Sequence, residues 1–191
     1  MIRRTTTPFA NVILNFMKQR AAALIFLMTA CLAADSGAGI HWSMPANWKS
    51  EAERPMRLAT YTVPAAAGDA EGGECGVYYF GQGQGGSVEA NLDRWIGQFV
   101  QPNGKSSKDV AKVDKRSIRG LKVTTVDVSG SYTGMGGPRA PGGAPKPGYR
   151  LLGAIAEGPQ GSIFFKFTGP AKTMAQNQQA FEKMLSTLSS Q

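Results

Sequence analysis

From residue 112 to residue 167 the chain offers four strand-like runs with no helical pattern between them. They are Lys112–Ile118, Leu121–Tyr132, Tyr149–Ala156 and Ser162–Phe167. Arg119-Gly120 joins the first two, and Glu157-Gly158-Pro159-Gln160-Gly161 joins the last two. Parallel neighbours need a crossover of roughly a dozen residues or more, so runs joined this closely pair antiparallel. Only the middle connection is long: Gly134 to Gly148 reads GMGGPRAPGGAPKPG. Its Gly/Pro content cannot pack, and it reads as a mobile hairpin tip, because too little chain follows to build a second domain. In the second run the apolar face changes phase between Val123 and Val126, which predicts a bulge or burial on both sides.

The upstream half adds strands and one helix. Residues 35–40 read as a short leader. Ile40 to Met44 reads as an edge strand, Met56 to Val63 as an alternating strand and Glu74 to Phe80 as an aromatic-rich one. Gly81 to Gly86 (GQGQGG) is a turn, and Ser87 is a candidate N-cap. Val88, Leu92, Trp95, Ile96 and Phe99 then recur at helical spacing, with Glu89 in the first turn, where the helix dipole favours an acid. A closing helix is expected from about Ala171, with Met174, Phe181, Met184, Leu185 and Leu188 on its buried face. Two helices with one apolar face each must both cover the sheet. The expected fold class is α+β: a mostly antiparallel sheet of about six or seven strands sandwiched by two helices.

The N-terminus carries an address. Residues 21–34 read AAALIFLMTACLAA, too short to span a bilayer comfortably, with Lys18 and Arg20 in front and small residues behind. A basic segment, an apolar core and a small-residue exit make a secretory signal, here residues 1–34. Met17 opens a complete signal of ordinary length and is a candidate true start. Met28-Thr29-Ala30-Cys31 resembles a bacterial lipobox, which would make Cys31 the lipidated residue; ordinary cleavage after Ala33 or Ala34 is the competing route. Residues 35–191 are then a single domain, either on the periplasmic side of the membrane as a lipoprotein or free in the periplasm or medium. The membrane is met only through that lipid.

The same cut corrects the charge. The formal charge is +8, but four bases (Arg3, Arg4, Lys18, Arg20) lie in the signal, which has no acid. The remaining 17 bases face 13 acids, a mildly basic balance that gives no nucleic-acid signature. The alternation of Lys112, Asp114 and Arg116 reads as a solvated strand face.

Chemistry is sparse. Gly81 to Gly86 matches G-x-G-x-x-G between a strand and a helix, so backbone N–H groups there could hold a nucleotide phosphate or another anion. Gly83, Gly85, Gly86 and Ser87 are the candidate anion or partner contacts, beside the plainer reading as a tight turn. Gly104-Lys105-Ser106 lacks the preceding glycine and strand of a P-loop. His41 is the sole histidine and Cys75 the sole cysteine after residue 31, too few for a common zinc site. Cys75 reads as a small buried apolar residue. Asp69, Glu71 and Glu74 read as a solvated loop rather than a Ca²⁺ site, and Trp42, Trp48, Trp95, Tyr78, Tyr79 and Phe80 as mostly core. No catalytic residue, metal ligand or cofactor is indicated.

Pro45 to Trp48, the strand–turn–helix around residues 75–99, the antiparallel meander and the closing Phe181-Glu182-Lys183-Met184-Leu185 together resemble the PsbP-like fold. Gly83 to Phe99 and Phe165 to Pro170 also resemble segments of uncharacterised bacterial exported proteins of that type. The resemblance implies a binding or accessory role and supplies no active site. The expected function is therefore an exported cell-envelope protein that contacts a protein or small-ligand partner without catalysis. An extracytoplasmic hydrolase using carboxylates, and a nucleotide or anion binder at Gly81–Gly86, are the alternatives.

Overall fold

A computed structural model describes residues 34–134 and 144–190. Met17, Cys31, nearly all of the signal and the centre of the Gly/Pro-rich connection lie outside the described residues. In chain order the elements are β1 Ala34–Gly37, β2 Ile40–Ser43, β3 Lys49–Ser50, β4 Ala59–Val63, β5 Gly73–Tyr79, α1 Val88–Ile96, β6 Phe99–Val100, α2 Ser107–Val110, β7 Lys112–Ile118, β8 Leu121–Tyr132, β9 Lys146–Gly158, β10 Gly161–Pro170, α3 Ala171–Ser186 and β11 Ser189–Ser190.

The main sheet has eight strands in the order β3-β4-β5-β10-β9-β8-β6, with β7 also paired to β8. Every pairing in it is antiparallel. Alternation along β10 explains its two cores. Ile163, Phe165 and Phe167 point to one face and meet Met174, Phe181, Met184 and Leu185 of α3. Phe164 points to the other and meets Leu92, Trp95 and Ile96 of α1. One helix therefore covers each face, as the amphipathic stripes require.

The phase change in β8 is two-sided burial. Leu121 and Val123 belong to the α3-side core, Val126 and Val128 to the α1-side core. Pairing with β9 runs unbroken from Lys122 to Gly130, and the irregularity comes only between Gly130 and Tyr132. β7 is exposed along nearly its whole length, consistent with a charged edge strand that resists pairing with other chains.

Five local expectations differ from the structure. Asp35, expected in a leader, lies in β1, and β2 is not an edge: it sits between β1 and β11 in a three-stranded sheet. Residues 56–58 do not extend β4, because Met56 adopts φ 65° in a turn closed by the Arg57 N–H on the Arg54 carbonyl. Phe99 is not helical: α1 ends at Ile96, and Phe99 reaches the same core from β6. Leu188 is buried beyond the end of α3 rather than on it.

Candidate functional site

The glycine-rich turn is built by local demands. Gly81, Gly83, Gly85 and Gly86 all take positive φ, which side chains with a Cβ adopt only at a cost. Gly85 has a second constraint: a Cβ there would lie 2.9 Å from the Phe80 ring and 3.0 Å from Phe164, whereas one on Gly83 would meet nothing. Asn91 Nδ2 donates to the carbonyls of Gly85 (2.7 Å) and Ser87 (2.8 Å), tying the turn to the helix it precedes. Ser87 is the N-cap, its Oγ accepting from the Ala90 N–H at 3.1 Å.

Of the four candidate contacts, Gly86 and Ser87 line a cleft of about 700 Å³ between the start of α1 and strands β7 to β10. Gly83 and Gly85 do not line it. The cleft is wide and open, and it carries charges of both signs: Lys115, Arg116 and Lys122 against Glu89 and Glu157. Lys115 Nζ lies 3.5 Å from Glu89 Oε1, both well solvated, and Lys122 is the cross-strand partner of Glu157. The strand before the turn, β5, pairs antiparallel with both β4 and β10. The parallel βαβ unit that gives G-x-G-x-x-G its dinucleotide chemistry is therefore not present around this turn.

The other singled-out residues have structural employment. Cys75 is fully buried in the α3-side core, and burial pushes its thiol far above the usual range. Asp69 Oδ2 accepts from the Thr173 N–H (2.9 Å) and Oγ1 (2.6 Å), supplying to α3 the cap that Pro170 cannot. Glu71 pairs with Lys146 at 2.7 Å, and Glu74 with Arg57 at 2.7 Å and Arg54 at 2.9 Å. No three His, Cys, Asp or Glu side chains cluster at metal-ligand distance among the described residues. Ser106 caps the single turn of α2. Trp42, Trp48 and Trp95 are core, while Phe80 is partly exposed.

Lys166 was not singled out by sequence reasoning. It sits in β10, inside Phe164-Phe165-Lys166-Phe167, on the α1 face. Its Nζ donates to Gln98 Oε1 at 2.6 Å and to the Tyr132 hydroxyl at 3.3 Å, and lies 5.5 Å from the Tyr132 ring centroid. Burial, then the charges of Arg94 and Arg57, bring its ammonium down to about 8, with Glu74 opposing. The available signal was the alternation itself, which puts a lysine on a covered face.

An antiparallel sheet clad by one helix on each face, with a strand–turn–helix leading into α1 and a helix closing the chain, defines a PsbP-like α+β domain. Cyanobacterial PsbP (CyanoP) from Synechocystis shares that fold, with a TM-score of 0.50 at 9% identity over 83% of this chain and 91% of that one. A protein of unknown function from Pseudomonas aeruginosa aligns with a TM-score of 0.47 at 11% identity over 83% of this chain and 96% of that one. The chain matches no family model and no curated protein.

Proposed function

We propose that this chain is an exported cell-envelope protein that works by binding, through the cleft beside Gly86 and Ser87, to another protein. The observation that carries this reading is the mixed charge of an open cleft, three cations beside two carboxylates. Small-molecule sites enclose their ligand and are mostly apolar. A broad surface that combines Lys115, Arg116 and Lys122 with Glu89 and Glu157 suits a partner with complementary charges of both signs. Export rests on the signal-like residues 1–34, with Cys31 as the lipidated residue or cleavage after Ala33 or Ala34.

The test places a photo-crosslinking residue at Ser117, on the wall of the cleft, in the full chain, in the producing cell. A discrete adduct in the envelope fraction that disappears in the Lys115→Glu/Lys122→Glu variant is expected. No adduct, together with turnover of a defined substrate, overturns the reading. Mass spectrometry of the mature N-terminus separates a lipidated Cys31 from soluble release, and recovery of residues 1–30 on cytosolic protein would overturn export.

Glu89 and Glu157 both line the cleft, an arrangement that the carboxylate-hydrolase alternative would use. A general acid needs a desolvated carboxyl, and the Glu89 side chain is 69% exposed. Turnover lost in Glu157→Gln would establish that alternative instead.

A further inference from the structure

A row of cations and tyrosines crosses the open part of the α1 face. The Arg57 guanidinium lies 5.2 Å from the centroid of the Tyr78 ring, and Lys166 lies 5.5 Å from Tyr132. Tyr132 stacks on Tyr149 at 5.9 Å, and Lys146 lies 5.3 Å from the Tyr149 ring. Two of these three cations have a carboxylate of their own: Arg57 has Glu74 and Lys146 has Glu71, each at 2.7 Å. Lys166, the most enclosed of the three, has only a neutral amide and a phenol, and no carboxylate lies within ion-pair distance among the described residues. The residues outside the description hold no Asp or Glu side chain to supply one.

An enclosed ammonium without a counter-ion is costly, and here the surroundings add to the cost. Arg94 and Arg57 both disfavour its charge, and Glu74, already bridged by Arg54 and Arg57, is the acid that relieves it. Arg94 itself leans on a neutral group, the Asn91 amide oxygen. A structural lysine in this place would normally be an apolar residue or would carry its own acid. The cross-strand neighbours of Lys166 are Gly76 and Gly153. Both are needed because rings lie flat over them: a Cβ would come within 2.6 Å of the Tyr78 hydroxyl and of the Trp95 ring respectively. The Tyr132 ring borders the ammonium, and Tyr78, Tyr132, Glu74 and Thr168 on the same face remain partly exposed, so solvent reaches the row.

We propose that Lys166, with Arg94 beside it, is the anchor of a binding site for a small organic carboxylate, whose acid group supplies the counter-ion that Glu74 and Glu71 supply to the other two cations and whose body rests on the flanking tyrosine rings. The site lies apart from the cleft at Ser87 and does not depend on the reading given for that cleft.

The probe is benzoate, with benzamide as its neutral isostere, in calorimetric titration of the full domain and in NMR of the Lys166 side chain. Benzoate is expected to bind at pH 7 and to raise the pH at which Lys166 gives up its proton. Its affinity should fall at least about tenfold between pH 7 and 9.5, and benzamide should not bind. Lys166→Met removes the charge while keeping an apolar stem of similar length, though it leaves buried Gln98 Oε1 without its donor; it should fold and lose benzoate. Arg94→Gln should bind more weakly with Tm little changed. Benzoate that leaves the Lys166 titration untouched, or that binds Lys166→Met as well as wild type, overturns the proposal.

Discussion

The phenol oxygen of Tyr61 on β4 receives the indole N–H of Trp42 on β2 at 2.7 Å. The same hydroxyl donates to Asp35 Oδ2 in β1 at 2.5 Å. One buried oxygen thereby joins the three-stranded sheet to the main one. Tyr61→Phe leaves the Trp42 donor unsatisfied and removes a charge-assisted bond. It should cost about 2–3 kcal/mol, read as a lower urea midpoint with an unchanged slope.

Glycines in the turn before α1 should be unequal. Gly83→Ala meets only the cost of a left-handed backbone, about 1 kcal/mol. Gly85→Ala meets that cost and also the clash with Phe80 and Phe164, and should lose about 2–4 kcal/mol. Equal losses in thermal unfolding would contradict this account of the turn.

Cys75 should be silent in the folded protein. Full burial, with the Glu74 charge adding to it, keeps the thiol protonated. An aromatic disulfide reagent at pH 8 should release no chromophore from the native domain on the minutes timescale, then one equivalent after denaturant is added.

Lys166 makes a signed prediction for pH. Its ammonium is brought down to about 8 in the fold, against an unfolded value of 10.5. The penalty of holding that charge is fully present below pH 8 and fades as pH rises from 8 to 10.5, because the unfolded chain binds more protons in that window. Discounted for partial exposure, it is on the order of 2 kcal/mol. The stability of Lys166→Met relative to wild type should therefore fall steadily between pH 8 and 10. Using the difference cancels the opposing losses from Cys75, Tyr78 and Tyr132, whose raised values cost stability as pH climbs.

The long strands, the hairpin around Pro159-Gln160 and the Ser87 cap were legible because each depends on residues close in sequence. β1 and β11 were not, since four-residue and two-residue strands have too little pattern to stand out and exist only by pairing with β2. Phe99 misled because its helical spacing from Trp95 coincides with the reach of a strand that returns to the same core. The turn residues were legible as a turn, but that Gly86 and Ser87 would border a cleft with Lys115 and Lys122 depends on how β7 and β8 fold back over long sequence distances. Lys166 was hidden for a similar reason: which of its neighbours bring a carboxylate cannot be read from one strand.

β2 holds β1 on one side and β11 on the other, through partners Ala34↔Ser43 and Ser190↔Ile40 at their outer ends. Ala34 and Ser190 are thus held by one strand, on its two sides and at its opposite ends. Tension applied between them would load those few rungs together, in shear along β2, before it reached the eight-stranded sheet. Joining the two ends with a short linker and opening the chain elsewhere should cost the domain little for the same reason.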